Sequence, residues 1–430
     1  MNILLLGSGG REHALAWKIS KSYHCSQLYI APGNPGTAEC GTNVSLALAD
    51  FQSIEQFCVD NAIDIVVVGP EEPLVNGIYD YLMASTSIKA KKPFFFVVGP
   101  SKEAAQLEGS KAFSKKFMQR HTIPTAGYAE FTVDNFEEGK AYIAHHSLPI
   151  VLKADGLAAG KGVVISNTHA EALQVFEEMI INKQFGSASS KVVIEEFLSG
   201  IEVSVFVLTD GKDYQVIGHA KDYKRIGEGD TGLNTGGMGC VSPVPFMDDA
   251  FMQKVEETII KPTVAGLTKE NLVYNGFIFF GLMNVNGTPL VIEYNCRMGD
   301  PETEVVMPRL QTDLVGLFAA MDNGTLADAN ISYHDNYFAT VMAVSGGYPG
   351  DYEKNKPIEV QAPLPKESLL FHAGTKMATD GTLLTNGGRV LTVTSPGNSI
   401  TEAVLQSKAG LEQIHFEGMY FRKDIGYEFA

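Results

Sequence analysis

Residues 151–164 read VLKADGLAAGKGVV, in which two apolar stretches flank a loop that carries three glycines and Lys161. The loop is not a P-loop, because that motif needs glycine at the position of Asp155 and Ser or Thr at the position of Gly162. The apolar stretches on both sides predict a strand, a flexible loop and a second strand. Backbone N–H groups and Lys161 of such a loop can cover phosphates. Lys153, on the first strand, can contact the same phosphates from the opposite side. A hairpin without a ligand is the alternative interpretation.

Residues 291–303 read VIEYNCRMGDPET and form the most specific local segment of the chain. Because successive side chains of a strand point to opposite faces, Glu293 and Asn295 share one face. A carboxylate and an amide oxygen are ligands for a hard cation such as Mg²⁺ held between nucleotide phosphates. Arg297 continues this face with a fixed positive fork that suits a carboxylate or a transferring phosphoryl group. The segment predicts a phosphate and metal site, and a salt-bridged structural strand is the alternative.

Two further segments complete the predicted nucleotide region. Residues 192–198 read VVIEEFL and precede Glu202, a pattern typical of a hinge and a ribose-binding acid, although an exposed sheet edge would look the same. Residues 227–239 contain six glycines. Because this loop lies between predicted strands and is not serine-rich, the pattern favours a loop shaped around a ligand over a merely flexible one.

Residues 1–100 alternate short apolar runs with helical-period segments, and this alternation predicts a parallel α/β sheet. Three runs end in glycine, at Gly7, Gly69 and Gly99, and ligands of such sheets bind beyond the carboxyl ends of the strands. The dinucleotide fingerprint GxGxxG fails, since its third glycine falls on Glu12 and no ribose-binding acid follows the second strand. The turns therefore favour a small phosphorylated sugar, with plain strand-to-helix turns as the alternative.

The pattern changes after residue 100 to mixed α+β segments. The predicted elements are a helix from Ser101 through Gln119, shorter strands with helices to about residue 194, several strands over 191–301, a helix near 313–321, strands at 339–344 and 390–394, and a closing helix at 400–411.

Composition excludes several classes of protein. The chain has 430 residues, enough for two to four domains, and its 45% hydrophobic against 19% charged residues argue against disorder. The formal net charge of −17 disfavours a nucleic-acid partner. No apolar run approaches the ~20 residues of a membrane-spanning helix, and the N-terminus does not resemble a signal peptide, so we expect a soluble, cytoplasmic protein without a membrane partner. The five cysteines contain no Cys-x-x-Cys pair, which predicts buried, reduced thiols.

Taken in order, these segments resemble the ATP-grasp ligases and, among them, the phosphoribosylamine–glycine ligase (glycinamide ribonucleotide synthetase) family of purine biosynthesis. The resemblance extends over nearly the whole chain. The motifs that carry it are GSGGREHA at 7–14, PGNPGT at 32–37, GPEEPL at 69–74, the segment 153–163, NTGGMG at 234–239, EYNCRMGDPET at 293–303, NGGRV at 386–390 and RKDIG at 422–426.

The resemblance implies a multidomain fold of the α/β and α+β classes. An N-terminal parallel α/β (pre-ATP-grasp) domain over 1–103 would bind 5-phosphoribosylamine. An ATP-grasp domain over 104–325, with a mobile lid subdomain at about 121–191, and a mixed α/β C-terminal domain over 326–430 would follow.

The resemblance also implies roles for the matching residues. The positions for 5-phosphoribosylamine would be Gly9, Gly10, Arg11, Gly33, Asn34, Gly36 and Glu72. For ATP, the phosphates would contact Lys111, Lys153, Gly160, Lys161 and Gly162, the adenine Glu195, Phe197 and Leu198, and the ribose Glu202. The metal would be held by Glu293 and Asn295, glycine and its acyl phosphate would face Arg297 and Asp300, and the glycine ammonium would face Asp222. The catalytic residues would be Lys153, Arg297 and Asp300.

The implied reaction joins glycine to 5-phosphoribosylamine with ATP as co-substrate and Mg²⁺ or Mn²⁺ as cofactor. The glycine carboxylate would attack the γ-phosphate to give glycyl phosphate and ADP, and the amine would then attack the carbonyl to give glycinamide ribonucleotide. Closure of the loop 156–162 would keep water from the acyl phosphate. The family is often monomeric and this chain is expected to be monofunctional, while transient contacts with neighbouring purine-pathway enzymes stay open. The strand at 276–283, which in many ATP-grasp enzymes bears a second metal-binding acid, has none.

Three other functions stay open at this level. Another ATP-grasp carboxylate–amine ligase would share residues 150–300 but not the turns of 1–75. A dinucleotide-dependent oxidoreductase is disfavoured by the missing third glycine and ribose acid. A catalytically inactive nucleotide-binding regulator is disfavoured by the intact set of Lys153, Glu293, Asn295 and Arg297.

Overall fold

A computed structural model describes residues 1–158 and 162–429, and its first hundred residues form the predicted parallel sheet. The strands are β1 (Asn2–Gly7), β2 (Gln27–Pro32), β3 (Thr42–Asn43), β4 (Ile65–Val68) and β5 (Phe96–Pro100). They pair in parallel in the order β3-β2-β1-β4-β5, which confirms the parallel α/β prediction. The sheet is accompanied by helices α1 (Gly10–Ser20), α2 (Phe51–Asp60), α3 (Glu71–Asn76), α4 (Ile78–Ala84) and α5 (Thr86–Lys91). All of β4 is buried, as its continuous apolar run requires.

The segment after β5 forms two helices, α6 (Gln106–Gly109) and α7 (Lys111–Arg120), so the prediction of one helix from Ser101 through Gln119 was wrong. Ser110 adopts an extended conformation between them, and its Oγ accepts a hydrogen bond from the Phe113 N–H at 3.1 Å. Serine is a preferred N-cap because its side chain satisfies an amide that has no partner in the first helical turn. This cap, rather than the apolar pattern, sets the start of α7.

A four-stranded antiparallel sheet follows. Its strands are β6 (Tyr128–Thr132), β7 (Ile150–Ala154), β8 (Val163–Ser166) and β9 (Lys191–Glu196), in the order β6-β9-β7-β8. The pairing of β7 with β8 confirms the two predicted strands, whereas residues 159–161 of the loop predicted between them lie outside the described residues. Helices α8 (Phe136–His145) and α9 (His169–Ile180) cover a core that contains Phe131, Leu152 and Phe176. Because this core is separate from the others, the sheet and its two helices pack as a unit of their own.

The next strands join the N-terminal sheet to the rest of the chain. They are β10 (Ile201–Thr209), β11 (Tyr214–Asp222), β12 (Arg225–Gly227), β13 (Thr231–Asn234), β14 (Gly239–Ser242), β15 (Tyr274–Val285) and β16 (Thr288–Asn295). The central strand β15 pairs antiparallel with β10 and β16, and its Tyr274 and Asn275 pair with Pro100 and Gly99 of β5. Through this junction β5 and β15 belong to one continuous sheet of 13 strands. The helical segments here are α10 (Asp249–Val255), a π-helical turn (Glu256–Ile260), α11 (Lys261–Lys269), α12 (Thr303–Arg309) and α13 (Leu314–Asp322).

The C-terminal segment extends the same sheet. Its elements are β17 (Tyr337–Val344), β18 (Glu359–Val360), β19 (Leu369–His372), β20 (Thr375–Met377), β21 (Leu383–Thr385), β22 (Arg389–Gly397), α14 (Ile400–Leu411) and β23 (Ile414–His415). The order β14-β17-β22-β19 places the C-terminal strands at one end of the sheet. A local core that includes Val341, Leu391 and Leu411 stabilises them. The strands and helices predicted after residue 312 are therefore confirmed, whereas the domain boundaries at 103 and 325 stay predictions.

Three of the five cysteines are fully buried, in line with the predicted buried thiols. All five cysteines are free, with Cys58, Cys240 and Cys296 buried and Cys25 and Cys40 partly buried. Burial raises the pKa of the Cys58 thiol to about 12, which keeps it protonated. Within the described part of the chain, none of the helices combines the length and the apolar character that crossing a membrane requires.

Two buried histidines join the C-terminal segment to the first glycine turns. His13 of α1 accepts at Nδ1 a hydrogen bond from the His372 N–H at 2.8 Å, and Asn34 Nδ2 donates to the His372 carbonyl at 2.8 Å. A Cβ at Gly36 would lie 2.2 Å from His13 Cε1, so glycine is needed there for the turn to approach the ring. Burial lowers the pKa of His13 to about 3 and the pKa of His372 to about 4. Both imidazoles are therefore neutral at physiological pH, and the junction depends on that neutrality.

We predict that acid destabilises the protein through these two histidines. Their folded-state pKa values lie below the ordinary value of 6.5, so the unfolded state binds more protons and stability falls as the pH drops below that value. The expected loss is about 2 kcal/mol per histidine between about pH 7.5 and about pH 5. Urea denaturation at both pH values should show a smaller loss for His13→Asn, which keeps an acceptor for the His372 N–H but cannot titrate.

His145→Asn is the matched control, because His145 is exposed at the end of α8 and its ring nitrogen contacts the Ala141 carbonyl of the same helix. This control should show the wild-type pH dependence. If His13→Asn also shows it, titration of His13 does not contribute to the acid sensitivity.

Candidate active site

One cavity gathers residues from distant parts of the chain. It has a volume of about 410 Å³ and is lined by α1, α3, α6 and α7, by the four-stranded sheet, by β16 with the loop after it, and by β22. Eight residues implied by the family resemblance line it, namely Arg11, Lys111, Gly162, Glu195, Glu293, Asn295, Arg297 and Asp300. The cavity is therefore the candidate site, and its two ends differ in chemistry.

At one end a buried carboxylate lies between two lysines. Glu195 Oε2 is 3.0 Å from Lys153 Nζ and 3.2 Å from Lys115 Nζ, and the three side chains are at most 5% exposed. Lys153 also donates to the Ile292 carbonyl at 3.4 Å. Glu195 Oε1 is buried and has no hydrogen-bond partner within the described chain. Because a buried acceptor without a partner is costly, Glu195 depends on the charge of the two lysines.

Glu293 faces several cations in the wall formed by β16. Burial by itself would raise the pKa of Glu293, but Lys224, Lys153 and Lys111 lower it on balance, so the carboxylate is ionised. Burial lowers the pKa of Lys111, although Glu293 opposes this shift. Of these lysines, Lys111 lines the cavity and could contact a further anion such as a triphosphate.

The pair Glu293 and Asn295 suits a divalent cation. Both side chains line the cavity, and among the described residues Asn295 Nδ2 is buried without a hydrogen-bond partner. A carboxylate oxygen and an amide oxygen are the hard ligands that Mg²⁺ prefers, and phosphate oxygens and water usually complete its coordination. The described residues contain no cluster of three or more His, Cys, Asp or Glu side chains arranged for a metal. Any ion here would therefore depend on a bound phosphate for much of its coordination.

Arg297 is held by two carboxylates in the middle of the cavity. Its Nη2 lies 2.9 Å from Glu108 Oε1 and its Nε lies 3.4 Å from Glu71 Oε2, which is also 4.0 Å from Arg11 Nη1. Glu108 accepts the Cys296 N–H at 2.8 Å, which fixes its position. Burial by itself would lower the pKa of Arg297, but Glu108 and Glu71 raise it on balance. The guanidinium is therefore a charged fork with a fixed orientation.

Asp300 lies at the other end of the cavity, between the start of α1 and the start of β22. Its Oδ2 is 3.5 Å from the Arg11 backbone nitrogen, and its Oδ1 is 3.0 Å from Arg389 Nη1. The N-terminus of a helix and a guanidinium both favour a negative charge. This end therefore combines a carboxylate with arginines, a set suited to an amine that also carries an anionic group.

Carboxylates of the chain itself occupy the first glycine turn. Glu12 Oε2 accepts the Gly9 N–H at 2.7 Å, and Glu12 Oε1 lies 2.5 Å from Arg11 Nε. A Cβ at Gly10 would lie 2.3 Å from Oε1 of Glu304, which accounts for the glycine at that position. Burial raises the pKa of Glu304, and in the described structure neither of its oxygens has a hydrogen-bond partner. Of the three predicted residues in this turn, Arg11 lines the cavity.

The predicted residues of the second glycine turn, Gly33, Asn34 and Gly36, are not among the residues that line the cavity. Gly33 has a φ of +72°, which favours glycine, and the turn packs on the C-terminal segment through Asn34 and Gly36. At the third turn, the sequence pointed to Glu72, which is exposed, whereas its neighbour Glu71 lines the cavity.

The predicted adenine and ribose contacts are more dispersed. Phe197 and Leu198 border a smaller cavity of about 300 Å³ beside residues 146–149. Glu202 forms an ion pair with Lys224, whose Nζ is also 3.9 Å from Asp222 Oδ2. The structure thus brings Glu202 and Asp222 together around one lysine.

Two predicted phosphate contacts, Gly160 and Lys161, lie outside the described residues. The structure adds cavity residues that the sequence reasoning missed, namely Glu71, Glu108, Lys115 and Arg389. Lys115 follows Lys111 by four residues on α7, a spacing that puts both on one helix face and could have revealed it. The other three line the cavity only because segments far apart in the sequence pack together in the fold.

Three family models match the chain. Phosphoribosylglycinamide synthetase, N domain, matches residues 1–108, the ATP-grasp (A) domain of the same synthetase matches 109–303, and its C domain matches 338–428. The fold class predicted from the sequence, an α/β unit followed by an ATP-grasp core and a C-terminal domain, is confirmed by this order.

Proteins similar over their full length agree with the family models. The phosphoribosylamine–glycine ligase of Vibrio cholerae is 46% identical over 434 residues, which cover 99% of this chain and 98% of that protein. A crystal structure of phosphoribosylamine–glycine ligase from Thermotoga maritima is 34% identical, with a TM-score of 0.84, over 99% of this chain and all of that one (100%). A biotin carboxylase domain from Hydrogenobacter thermophilus, at 17% identity and a TM-score of 0.72 over 97% of this chain and 91% of that one, shares the fold alone. The chain therefore belongs to the phosphoribosylamine–glycine ligase family of ATP-grasp enzymes.

Proposed function

We propose that the chain catalyses the ATP-dependent ligation of glycine to 5-phosphoribosylamine, giving glycinamide ribonucleotide, ADP and phosphate through glycyl phosphate. The observation that carries this proposal is the cavity of about 410 Å³, in which lysines and a carboxylate–amide pair at one end adjoin arginines and an aspartate at the other. A ligase that activates a carboxylate and transfers it to an amine needs two adjoining subsites of this kind. Membership of the family supports the choice of glycine and 5-phosphoribosylamine as substrates.

The lysine end would bind ATP. Lys111 and Gly162 line the cavity and would contact the phosphates, and Lys153, 3.0 Å from Glu195, would add positive charge beside them. Glu293 and Asn295 would hold Mg²⁺ or Mn²⁺, which supplies further neutralisation of the transferring phosphoryl group. Catalysis of this step then depends mainly on positioning and electrostatics.

The arginine end would bind glycine and the amine. In the first step an oxygen of the glycine carboxylate, oriented by Arg297, forms a bond to the γ-phosphorus while the bond to the ADP oxygen breaks. In the second step the amine nitrogen bonds to the carbonyl carbon, and phosphate leaves with the electron pair of the broken C–O bond. We propose that the Asp300 carboxylate accepts the proton that the amine loses.

The remaining assignments stay predictions from the sequence. These are the 5-phosphoribosylamine contacts of Gly9, Gly10, Arg11, Gly33, Asn34, Gly36 and Glu72, the phosphate contacts of Gly160 and Lys161, the adenine contacts of Glu195, Phe197 and Leu198, the ribose contact of Glu202, the glycine ammonium contact of Asp222, the position in the cytoplasm and the monomeric state.

We predict that the purified chain releases ADP from Mg²⁺-ATP when glycine and 5-phosphoribosylamine are both present, because each step needs its own substrate in the cavity. The amine can be made in situ from ribose 5-phosphate and ammonia. A coupled assay for ADP should compare each substrate alone, both together, and both with alanine in place of glycine. We expect release with the complete set and loss of release with alanine.

Two outcomes would contradict the proposal in different ways. Release with an unrelated acid or amine would keep an ATP-grasp ligase but discard these substrates. If ADP is not released with any pair, the chain is a nucleotide binder rather than this ligase.

We predict that Glu293→Gln lowers kcat about a hundredfold or more, because a neutral amide neither neutralises the lysines nor binds the ion as a carboxylate does. The variant should also need more Mg²⁺ to reach half of its maximal rate. Steady-state kinetics at several Mg²⁺ concentrations would measure both effects.

Glu353→Gln is a matched control, since Glu353 is 80% exposed and pairs at 2.7 Å with Lys356, away from the cavity. It should retain wild-type kinetics. A Glu293→Gln variant that keeps the wild-type melting temperature, rate and Mg²⁺ requirement would remove Glu293 from the metal site.

A further inference from the structure

Arg389, at the start of β22, connects three segments at the Asp300 end of the cavity. Its Nη1 donates hydrogen bonds to the Gly236 carbonyl at 2.6 Å and to the Asp300 carbonyl at 2.8 Å, and lies 3.0 Å from Asp300 Oδ1. The side chain is 20% exposed and lines the cavity. One guanidinium nitrogen therefore joins the glycine-rich loop, the loop after β16 and the C-terminal segment.

The glycine-rich loop has the shape that this contact needs. A Cβ at Gly236 would lie 2.8 Å from Arg389 Cζ, and Gly237, with a φ of +120°, also passes close to the guanidinium. Tyr348 Oη accepts the Gly236 N–H at 3.0 Å, so the C-terminal segment binds both the N–H and the carbonyl of Gly236. The two adjacent glycines thus serve to bring the loop against Arg389 and Tyr348.

The charges around Arg389 indicate that its role concerns Asp300. Burial by itself would lower the pKa of Arg389, but Asp300 raises it on balance, with help from Glu304 and Glu302. Asp300 Oδ1 is buried, and despite its contact with Arg389 it accepts no hydrogen bond from the described residues. The ion pair therefore holds Oδ1 by charge, and Asp300 as a residue still lines the cavity.

We infer that Arg389 is a positioning residue of the ligase, which orients the Asp300 carboxylate toward the amine of 5-phosphoribosylamine. This inference rests on the proposed function and extends it to a residue of the C-terminal segment. Arg389 acts on the second step, in which the nitrogen–carbon bond forms, phosphate leaves with the electron pair of the C–O bond, and Asp300 takes the proton of the amine.

If Arg389 positions Asp300, its loss should affect the second step of the reaction but not the first. Without Arg389, the ATP end of the cavity keeps its lysines and its carboxylate–amide pair, so glycyl phosphate still forms. Because Asp300 is then misplaced, the amine attacks glycyl phosphate more slowly, and water hydrolyses part of the acyl phosphate. The enzyme should consequently release more ADP than glycinamide ribonucleotide.

The test compares Arg389→Gln and Arg389→Lys with the wild type and measures ADP and glycinamide ribonucleotide in the same reactions. For Arg389→Gln we expect kcat/KM for 5-phosphoribosylamine to fall about tenfold to a hundredfold, the usual result of a small displacement of a reacting group. The KM values for ATP and glycine should change less than about threefold, because uniform binding of these substrates is not affected. Arg389→Lys should recover part of the loss, since it keeps the charge but not the planar fork.

Arg422→Gln is the matched control for loop anchoring. Arg422 is buried and holds the other part of the glycine-rich loop, with Nη1 donating to the Arg225 carbonyl at 3.1 Å and to Asp230 at 2.7 Å. It is not among the residues around the cavity. This variant should keep one ADP per product even if its melting temperature falls.

The inference is overturned if Arg389→Gln loses kcat/KM equally for all three substrates and still makes one product per ADP. It is also overturned if Arg389→Gln and Arg422→Gln show the same changes in kcat/KM and in the ratio of ADP to product. Arg389 would then support only the fold. If Arg389→Gln does not fold, the ratio of ADP to product in Arg389→Lys decides in the same way. If the wild type makes no glycinamide ribonucleotide at all, it is the proposed function that fails, and this inference with it.

Discussion

The pairing of buried charges is the constraint on which the cavity depends. A charged side chain removed from water is stable only when an opposite charge and hydrogen bonds compensate for the lost hydration. The compensating pairs here are Glu195 with Lys153 and Lys115, Arg297 with Glu108 and Glu71, and Asp300 with Arg389. A ligand with phosphates and a metal ion enters a site whose charges are already oriented, which is what transfer of a phosphoryl group requires.

The geometry of these pairs depends on the one continuous sheet. Each pair joins residues from different elements, for example Arg297 after β16 with Glu108 on α6 and Glu71 on α3. The junction of β5 with β15 fixes the distance between those elements, since strands in one sheet cannot slide without breaking their hydrogen bonds. The four-stranded sheet has its own core and supplies Glu195 to the same cavity, with Lys153 paired to it. A rigid sheet and a separately packed unit therefore meet at the ATP end.

Much of the site could be predicted where its geometry is local. Glu293 and Asn295 share the cavity because alternate residues of a strand share a face, and Lys153 lies on the strand predicted for it. Predictions from single turns were less complete. Gly10 accommodates the Glu304 carboxylate, and Glu71 rather than Glu72 lines the cavity, because these contacts depend on helices that pack from elsewhere.

The sequence by itself determined that the first strands form a parallel sheet, that two strands flank the loop with Lys161, and to which family the chain belongs, because apolar period, glycine spacing and ordered motifs are properties of neighbouring residues. Only the tertiary structure decided that Arg389 reaches Asp300, that Arg297 lies between two glutamates and that His13 meets His372. The physical reason is that these partners are far apart along the chain. Their pairing follows from the packing of whole elements, which no local pattern records.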